Sequence, residues 1–273
     1  MTDTSSLARS SPPSPALPDR LIGISLKMYM SHAQTVDWAY RATELTHAHP
    51  AVTSGEAGLV LLPQFPSIPA CLDVPGPLQI GAQNLSAEDP GAWTGEVSGA
   101  VLAELGCRYV EVGHAERRRH FHETDDIVRA KIAAALRLGL VPILCVGEES
   151  SGTPESAAAE VVAQIRSALP TTAGDQPPES GVVIAYEPMW AIGAQRPAAP
   201  DHILAVCEAV RARTRIHFPS LDFRLIYGGS AGPGLLTRLG PSVDGLFLGR
   251  FAHDPESVPR ILDELADVIM LKS

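Results

Sequence analysis

Glu187 follows a short apolar run, Val182 to Ala185, and stands directly before Pro188. A β-branched run of that length reads as a buried parallel strand, and the proline stops its hydrogen-bond ladder, so the strand delivers one carboxylate at its C-terminal end. The stretch beyond has apolar ends, a proline at each side (Pro188 and Pro197) and Gly193 near its middle. Such a segment is a candidate lid, able to close over a ligand and keep water away from the acid. The chemistry would be proton transfer by a carboxylate in a dry pocket; the plain alternative is a solvent-facing acid at the start of a helix. Three other places carry polar groups directly after an apolar run: Lys27, the segment Gly113-His114-Ala115-Glu116-Arg117-Arg118, and the Gly-rich turns Tyr227 to Gly232 and Leu248-Gly249-Arg250. Turns of the last kind bind phosphate through backbone N–H groups that glycine lets a ligand approach closely.

Bringing these groups together requires a scaffold that ends all its strands at one mouth. Strand candidates run over 21–26, 58–62, 78–82, 109–112, 141–146, 182–185, 223–227 and 245–248, each short, apolar and bounded by turn residues. Helical patterns fall between them at 33–48, 97–105, 124–138, 154–169, 201–217 and 255–270, with Thr124 as an N-cap followed by acidic residues. Eight strands alternating with helices predict an α/β chain folded as a single (β/α)8 barrel, with its site at the C-terminal ends of the strands. Period-two alternation puts Ser25 and Lys27 on one face of the first strand and Leu26 on the other. The stretch Gln83 to Glu96 is long and patternless, which marks it as a functional loop.

The bulk properties bound the function. With 273 residues, 45% of them hydrophobic, the chain can bury one large core, and a barrel of this size forms one domain. Residues 1–19, rich in Ser and Pro, read as a disordered tail, which leaves 20–273 as the folded unit. A net charge of −10 and a pI near 5.3 argue against nucleic acid and anionic membranes as partners, although a local basic pocket would be hidden in that total. Cys71, Cys107, Cys145 and Cys207 lie far apart without a CxxC pair, so neither zinc nor a disulfide framework is expected, nor any metal or cofactor. No apolar run approaches the ~18 residues of a membrane span, and the N-terminus lacks the order of a secretory signal; a cytoplasmic protein is the expectation.

Six motifs in order carry a resemblance: Lys27-Met28, Gly-His-Ala-Glu-Arg-Arg at 113–118, Cys145-Val-Gly-Glu148, Ala185-Tyr-Glu-Pro-Met-Trp-Ala-Ile-Gly193, Tyr227-Gly-Gly-Ser230 and Asp244-Gly-Leu-Phe-Leu-Gly249. Together, from about Leu21 to Leu271, they resemble the triosephosphate isomerase family. The resemblance implies that Glu187 removes a proton beside a carbonyl, that His114 at a helix N-terminus donates to the developing enediolate, and that Lys27 supplies a fixed positive charge. Gly193, Ser230, Gly249 and Arg250 would then present phosphate-binding N–H groups. Glu116 is expected in an ion network with Arg117 or Arg118. It further implies a homodimer in which loop 83–96 reaches the first-strand lysine of the neighbouring subunit.

The departures from the family pattern are specific. Ser25-Leu26-Lys27 stands where Asn-Trp-Lys is usual, Ala115 replaces a serine after His114, Arg250 replaces the second glycine of a Gly-Gly pair, and the lid ends Gln195-Arg196-Pro197-Ala198. Arg250 places a permanent cation beside the expected phosphate, with a surface pair to Asp254 as the alternative. An arginine there is similar to the branch that acts on L-erythrulose 1-phosphate, and a smaller Ser25 would leave room for one more hydroxymethyl group. The expectation is aldose–ketose isomerisation of a short phosphorylated sugar, glyceraldehyde 3-phosphate first and L-erythrulose 1-phosphate second. A Schiff-base aldolase using Lys27 and a non-catalytic phosphosugar sensor are the readings from other classes.

Overall fold

In the computed structural model, which describes residues 16–170, 181–192 and 198–270, the short apolar runs pair as the periodicity requires. Eight strands, β1 Arg20–Ser25, β2 Ala57–Leu62, β3 Leu78–Ala82, β4 Tyr109–Val112, β5 Val141–Val146, β6 Val182–Tyr186, β7 Phe223–Tyr227 and β8 Gly245–Leu248, close into a barrel in chain order. All neighbours are parallel, and β8 returns to β1 with Leu21 opposite Gly245 and Ile24 opposite Leu248. Every strand boundary lies within one residue of its expected place. Helices differ more at their ends: the first runs His32–Thr46 under a capping box from Ser31 and Gln34, and the one expected from 97 begins at Gly99. Thr124 and Thr153 cap their helices through side-chain oxygens, and Pro200 occupies the first turn of another.

Alternation along each strand divides the apolar residues into two cores. Leu21, Val60, Leu62, Tyr109, Val141, Ile143, Val183, Ala185, Ile226 and Phe247 fill the barrel interior. Their sequence neighbours Ile22, Leu61, Val110, Leu144, Ile184 and Leu225 pack outward under the helices. Gly23 is inward because a Cβ there would sit 2.6 Å from the Phe247 ring, so one bulky residue of β8 occupies the place of two. Leu26 falls in the outer core, as alternation predicts. Trp38 secures the helix after β1 to the segment after β8 by donating from Nε1 to Ala252 O at 2.8 Å.

The N-terminal ends of the strands are closed. Ala16 to Asp19, grouped with the tail on composition, run beneath the barrel, where Leu17 is 4% exposed and joins the interior core. Arg224 holds this strap through Leu17 O and Pro18 O. Burying a leucine-sized side chain contributes ~1.5–3 kcal/mol, enough to anchor a short segment with no strand of its own. Asp244 sits alongside with its carboxylate fully used: Oδ2 accepts from Arg211 Nη2 at 2.9 Å and Leu225 N at 2.9 Å, and Oδ1 lies 3.4 Å from Arg20 Nη1.

Candidate active site

At the opposite end the strands stop and the chain turns sharply. Lys27 takes a φ of 49°, a left-handed conformation that costs a non-glycine residue about 1–2 kcal/mol. Gln83, just past β3, holds it there by donating from Nε2 to Lys27 O at 3.0 Å and Leu62 O at 2.9 Å. The Lys27 ammonium reaches Glu116 Oε1 at 2.7 Å. Burial opposes its charge, but the Glu116 bond and the charges of Glu116, Glu187 and Glu111 outweigh burial and raise its pKa. For Glu116, burial is likewise outweighed by Lys27 and His114, and its carboxyl is held below the usual range.

That pairing corrects the expected ion network. Arg117 Nε bonds Glu123 Oε1 at 2.5 Å, and Arg118 bonds Gly113 O at 3.0 Å and Asp125 Oδ1 at 2.7 Å. Neighbouring positions on a helix do not face one another, so within Ala115–Phe121 Glu116 turns to the mouth while the two arginines turn to other elements. His114 caps this helix. Its Nδ1 accepts from Glu116 N at 3.2 Å, which leaves the ring proton of a neutral imidazole on Nε2, the nitrogen that faces the mouth.

Glu187 leaves β6 with its backbone gripped from both sides, since its N–H donates to Val146 O and Gly228 N–H donates to Tyr186 O, each at 2.8 Å. Two glycines make room for it: a Cβ on Gly147 would sit 1.8 Å from Glu187 O, and one on Gly228 would sit 2.4 Å from Glu187 Oε1. The carboxylate is 7% exposed, and Oε2 stands 3.3 Å from His114 Nε2 with no hydrogen-bond partner among the described residues. Met189–Ala191 then forms a single turn, tied down by Trp190 Nε1 donating to Glu148 Oε1 at 2.8 Å. Tyr186 OH and His202 Nε2 lie 3.2 and 3.3 Å from the same buried oxygen. Gly193 and Pro197 lie outside the described residues.

Across the mouth, a cleft of about 1440 Å³ is lined by Lys27, Gly229, Ser230, Gly232, Gly249 and Arg250. Ser230 Oγ lies 3.5 Å from Ala191 O, linking the β7 turn to the segment after Glu187. A Cβ on Gly249 would fall 4.0 Å from Lys27 Cε, so this turn faces the lysine directly. Arg250 makes no ion pair among the described residues, and Asp254 Oδ1 instead accepts from Glu256 N, which removes the surface pair as an account of the arginine.

Ser25 is 3% exposed, and its hydroxyl donates to Glu111 Oε2 at 2.9 Å, so Ser25 and Glu111 together line the space beside a small first-strand residue. Glu111 is the residue that motif reading missed. It is inward on β4, in register with Tyr109, and 3% exposed; Oε1 stands 3.9 Å from His114 Nε2. Burial, then the charge of Glu187, push its pKa up against the pulls of His114, Ser25 and Lys27. The signal was present in Tyr109-Val-Glu-Val112, a charged residue at an inward position of a buried strand.

Five ionisable groups on or just after β1, β4 and β6, Lys27, Glu111, His114, Glu116 and Glu187, thus converge at the barrel mouth, with the Glu187 carboxylate and the His114 imidazole side by side and facing two glycine turns. The sequence profile of the triosephosphate isomerase family matches residues 20–265. L-erythrulose-1-phosphate isomerase of Pectobacterium atrosepticum is 49% identical over 245 residues, 89% of this chain and 94% of that one. The triosephosphate isomerase of Streptomyces coelicolor is 41% identical over 68% of this chain and 73% of its own length, and that of Synechococcus sp. strain JA-2-3B'a(2-13) is 35% identical over 89% and 96%. With its profile, its barrel and its relatives in agreement, the chain belongs to the triosephosphate isomerase family and is an isomerase of short phosphorylated sugars.

Proposed function

We propose that this enzyme interconverts L-erythrulose 1-phosphate and D-erythrulose 4-phosphate, with Glu187, His114 and Lys27 as its catalytic residues. The observation that carries the substrate is the 49% identity, over nearly the whole of both chains, to an enzyme of that name, against 35% to a triosephosphate isomerase matched over a similar length. The resemblance put triose phosphate first as the commonest activity of the family; this difference in identity favours the four-carbon sugar.

In this reading Glu187 takes the proton from the hydroxyl-bearing carbon beside the carbonyl. His114 Nε2–H hydrogen-bonds the carbonyl oxygen as it gains charge, and the Lys27 ammonium lies across the same oxygens. The proton passes to the former carbonyl carbon, while the oxygen-bound hydrogens exchange, so the carbonyl moves one position with no net gain or loss of atoms. The glycine turns after β7 and β8, with Ser230, Gly249 and Arg250, hold the phosphate, and the family resemblance adds Gly193 to that set. The supporting geometry is the Glu187–His114 approach of 3.3 Å in a site almost closed to water. Purified protein assayed side by side on L-erythrulose 1-phosphate and glyceraldehyde 3-phosphate tests this; a kcat/KM at least tenfold higher on the triose would overturn it.

A homodimer completes the reading. Met28, Tyr29 and Trp93 are 84%, 58% and 51% exposed, an apolar set beside Lys27 and on loop 83–96 that a second copy would cover. Sedimentation at micromolar concentration is the check, with a fully active monomer as the contrary result. Among the described residues no helix is long and apolar enough to cross a membrane. The four cysteines, all buried thiols, favour a reducing cytosol.

A further inference from the structure

Enediol chemistry needs one carboxylate base, yet two carboxylates face His114 Nε2. Glu187 Oε2 is 3.3 Å away and Glu111 Oε1 is 3.9 Å away. Glu111 also lacks the arrangement expected of a structural acid. A buried carboxylate is costly unless a cation or several donors satisfy it. Lys27 is engaged by Glu116, and no lysine or arginine reaches Glu111 among the described residues. Oε2 is held by the Ser25 hydroxyl at 2.9 Å, whereas Oε1 has only the weak Cys145 thiol donor at 4.0 Å besides the imidazole beyond hydrogen-bond reach. One oxygen is therefore anchored and the other is aimed, incompletely satisfied, at the reacting end of the site.

Position decides what it meets. The phosphate-binding turns follow β7 and β8, with Gly249 facing Lys27. Glu111 and Ser25 lie on β4 and β1, one step inward from His114 and Lys27 and toward the barrel axis. A substrate held by its phosphate at those turns, with its reacting carbons against Glu187 and His114, turns its phosphate-free end toward Glu111. In a triose phosphate that end stops at the reacting carbons; in a four-carbon ketose phosphate it extends by one hydroxymethyl group.

We propose that Glu111, anchored by Ser25, is a specificity-determining residue that binds the terminal hydroxymethyl group of a four-carbon substrate through Oε1. The proposal rests on the four-carbon reading above. Burial, by favouring the protonated acid, lets the same oxygen pair donate as well as accept, which suits a hydroxyl that does both. A site built to hydrogen-bond a substrate hydroxyl discriminates strongly against the analogue lacking it, because its own polar group is then left unpaired.

The test measures kcat/KM of the wild type, Glu111→Gln, Glu111→Leu and Ser25→Ala on L-erythrulose 1-phosphate and on dihydroxyacetone phosphate. Glu111→Leu is expected to lower the tetrose value at least about tenfold and the triose value less than about threefold. The isosteric Glu111→Gln keeps the fold and part of the tetrose preference, and Ser25→Ala moves the ratio in the same direction by a smaller factor. An equal fall on both substrates for Glu111→Gln assigns the residue to orienting His114 and overturns the proposal, as does an unchanged ratio in every variant. A wild type that turns over only the triose overturns the substrate reading itself, and is told apart by needing no variant.

Discussion

The two ends of the barrel both bury charge, and they differ in how completely it is satisfied. At the closed end Asp244 takes Arg211, the Leu225 N–H and Arg20, and Arg20 also donates to Val243 O at 2.8 Å. At the mouth Glu187 Oε2 has no hydrogen-bond partner among the described residues, Glu111 has one oxygen anchored, and Lys27 keeps a left-handed backbone. The same residue types occur at both ends. A saturated network is stable by itself and has nothing left to offer a ligand, whereas a partly satisfied one in a dry site binds what completes it. Strain and unsatisfied groups at the mouth are affordable only because the rest of the barrel over-determines their positions.

The sharpest way to break this comparison is to remove a charge from the closed end. Asp244→Ala leaves Arg20 and Arg211 without their shared carboxylate, and a broken buried network typically costs about 3–5 kcal/mol. Chemical denaturation should show that loss while kcat of the folded fraction stays within about twofold. Lost turnover with unchanged stability would mean that the closed end takes part in the chemistry. At the mouth the pattern inverts: Glu187→Asp withdraws the carboxylate by one methylene, so kcat should fall about 10²-fold or more with KM little changed and the unfolding midpoint held. Near-normal turnover in that variant removes Glu187 from the base role.

Arg250 sharpens the comparison within the mouth. If it contacts phosphate equally before and during reaction, Arg250→Gly should raise KM about tenfold and change kcat less than about twofold, read by steady-state kinetics on both sugars. The smallest effect concerns Glu111 and pH. Its raised pKa means that the folded protein holds that proton more tightly than the unfolded chain does. The associated stability is present below the ordinary carboxylate pKa and is lost as pH rises through the raised one. Glu111→Gln has no such loss, so the melting temperature of the variant minus that of the parent should grow more positive from about pH 4 to about pH 8. A difference that is flat with pH would show that the buried carboxyl does not titrate on folding.

Much of this molecule was legible in the order of its residues. Short β-branched runs ending in Lys27, Gly113, Glu187 and Gly228 specify strands that stop where polar groups begin, and parallel pairing puts all those ends on one side. Period and punctuation are local properties of a chain, which is why the strand boundaries, the caps at Thr124 and Thr153 and the placing of Lys27, His114 and Glu187 at one mouth could be read directly. What only the tertiary structure decided were partnerships between residues far apart in sequence. Glu116 turned to Lys27, 89 positions away, and not to the arginines beside it; Ser25 met Glu111 across 86 positions, so that a second side chain shares the space beside it; and Leu17, in a stretch read as tail, closed the barrel from below. Such contacts depend on which side chains the closed barrel brings together on its axis, and that is set by the register and closure of eight strands together and by no single one of them.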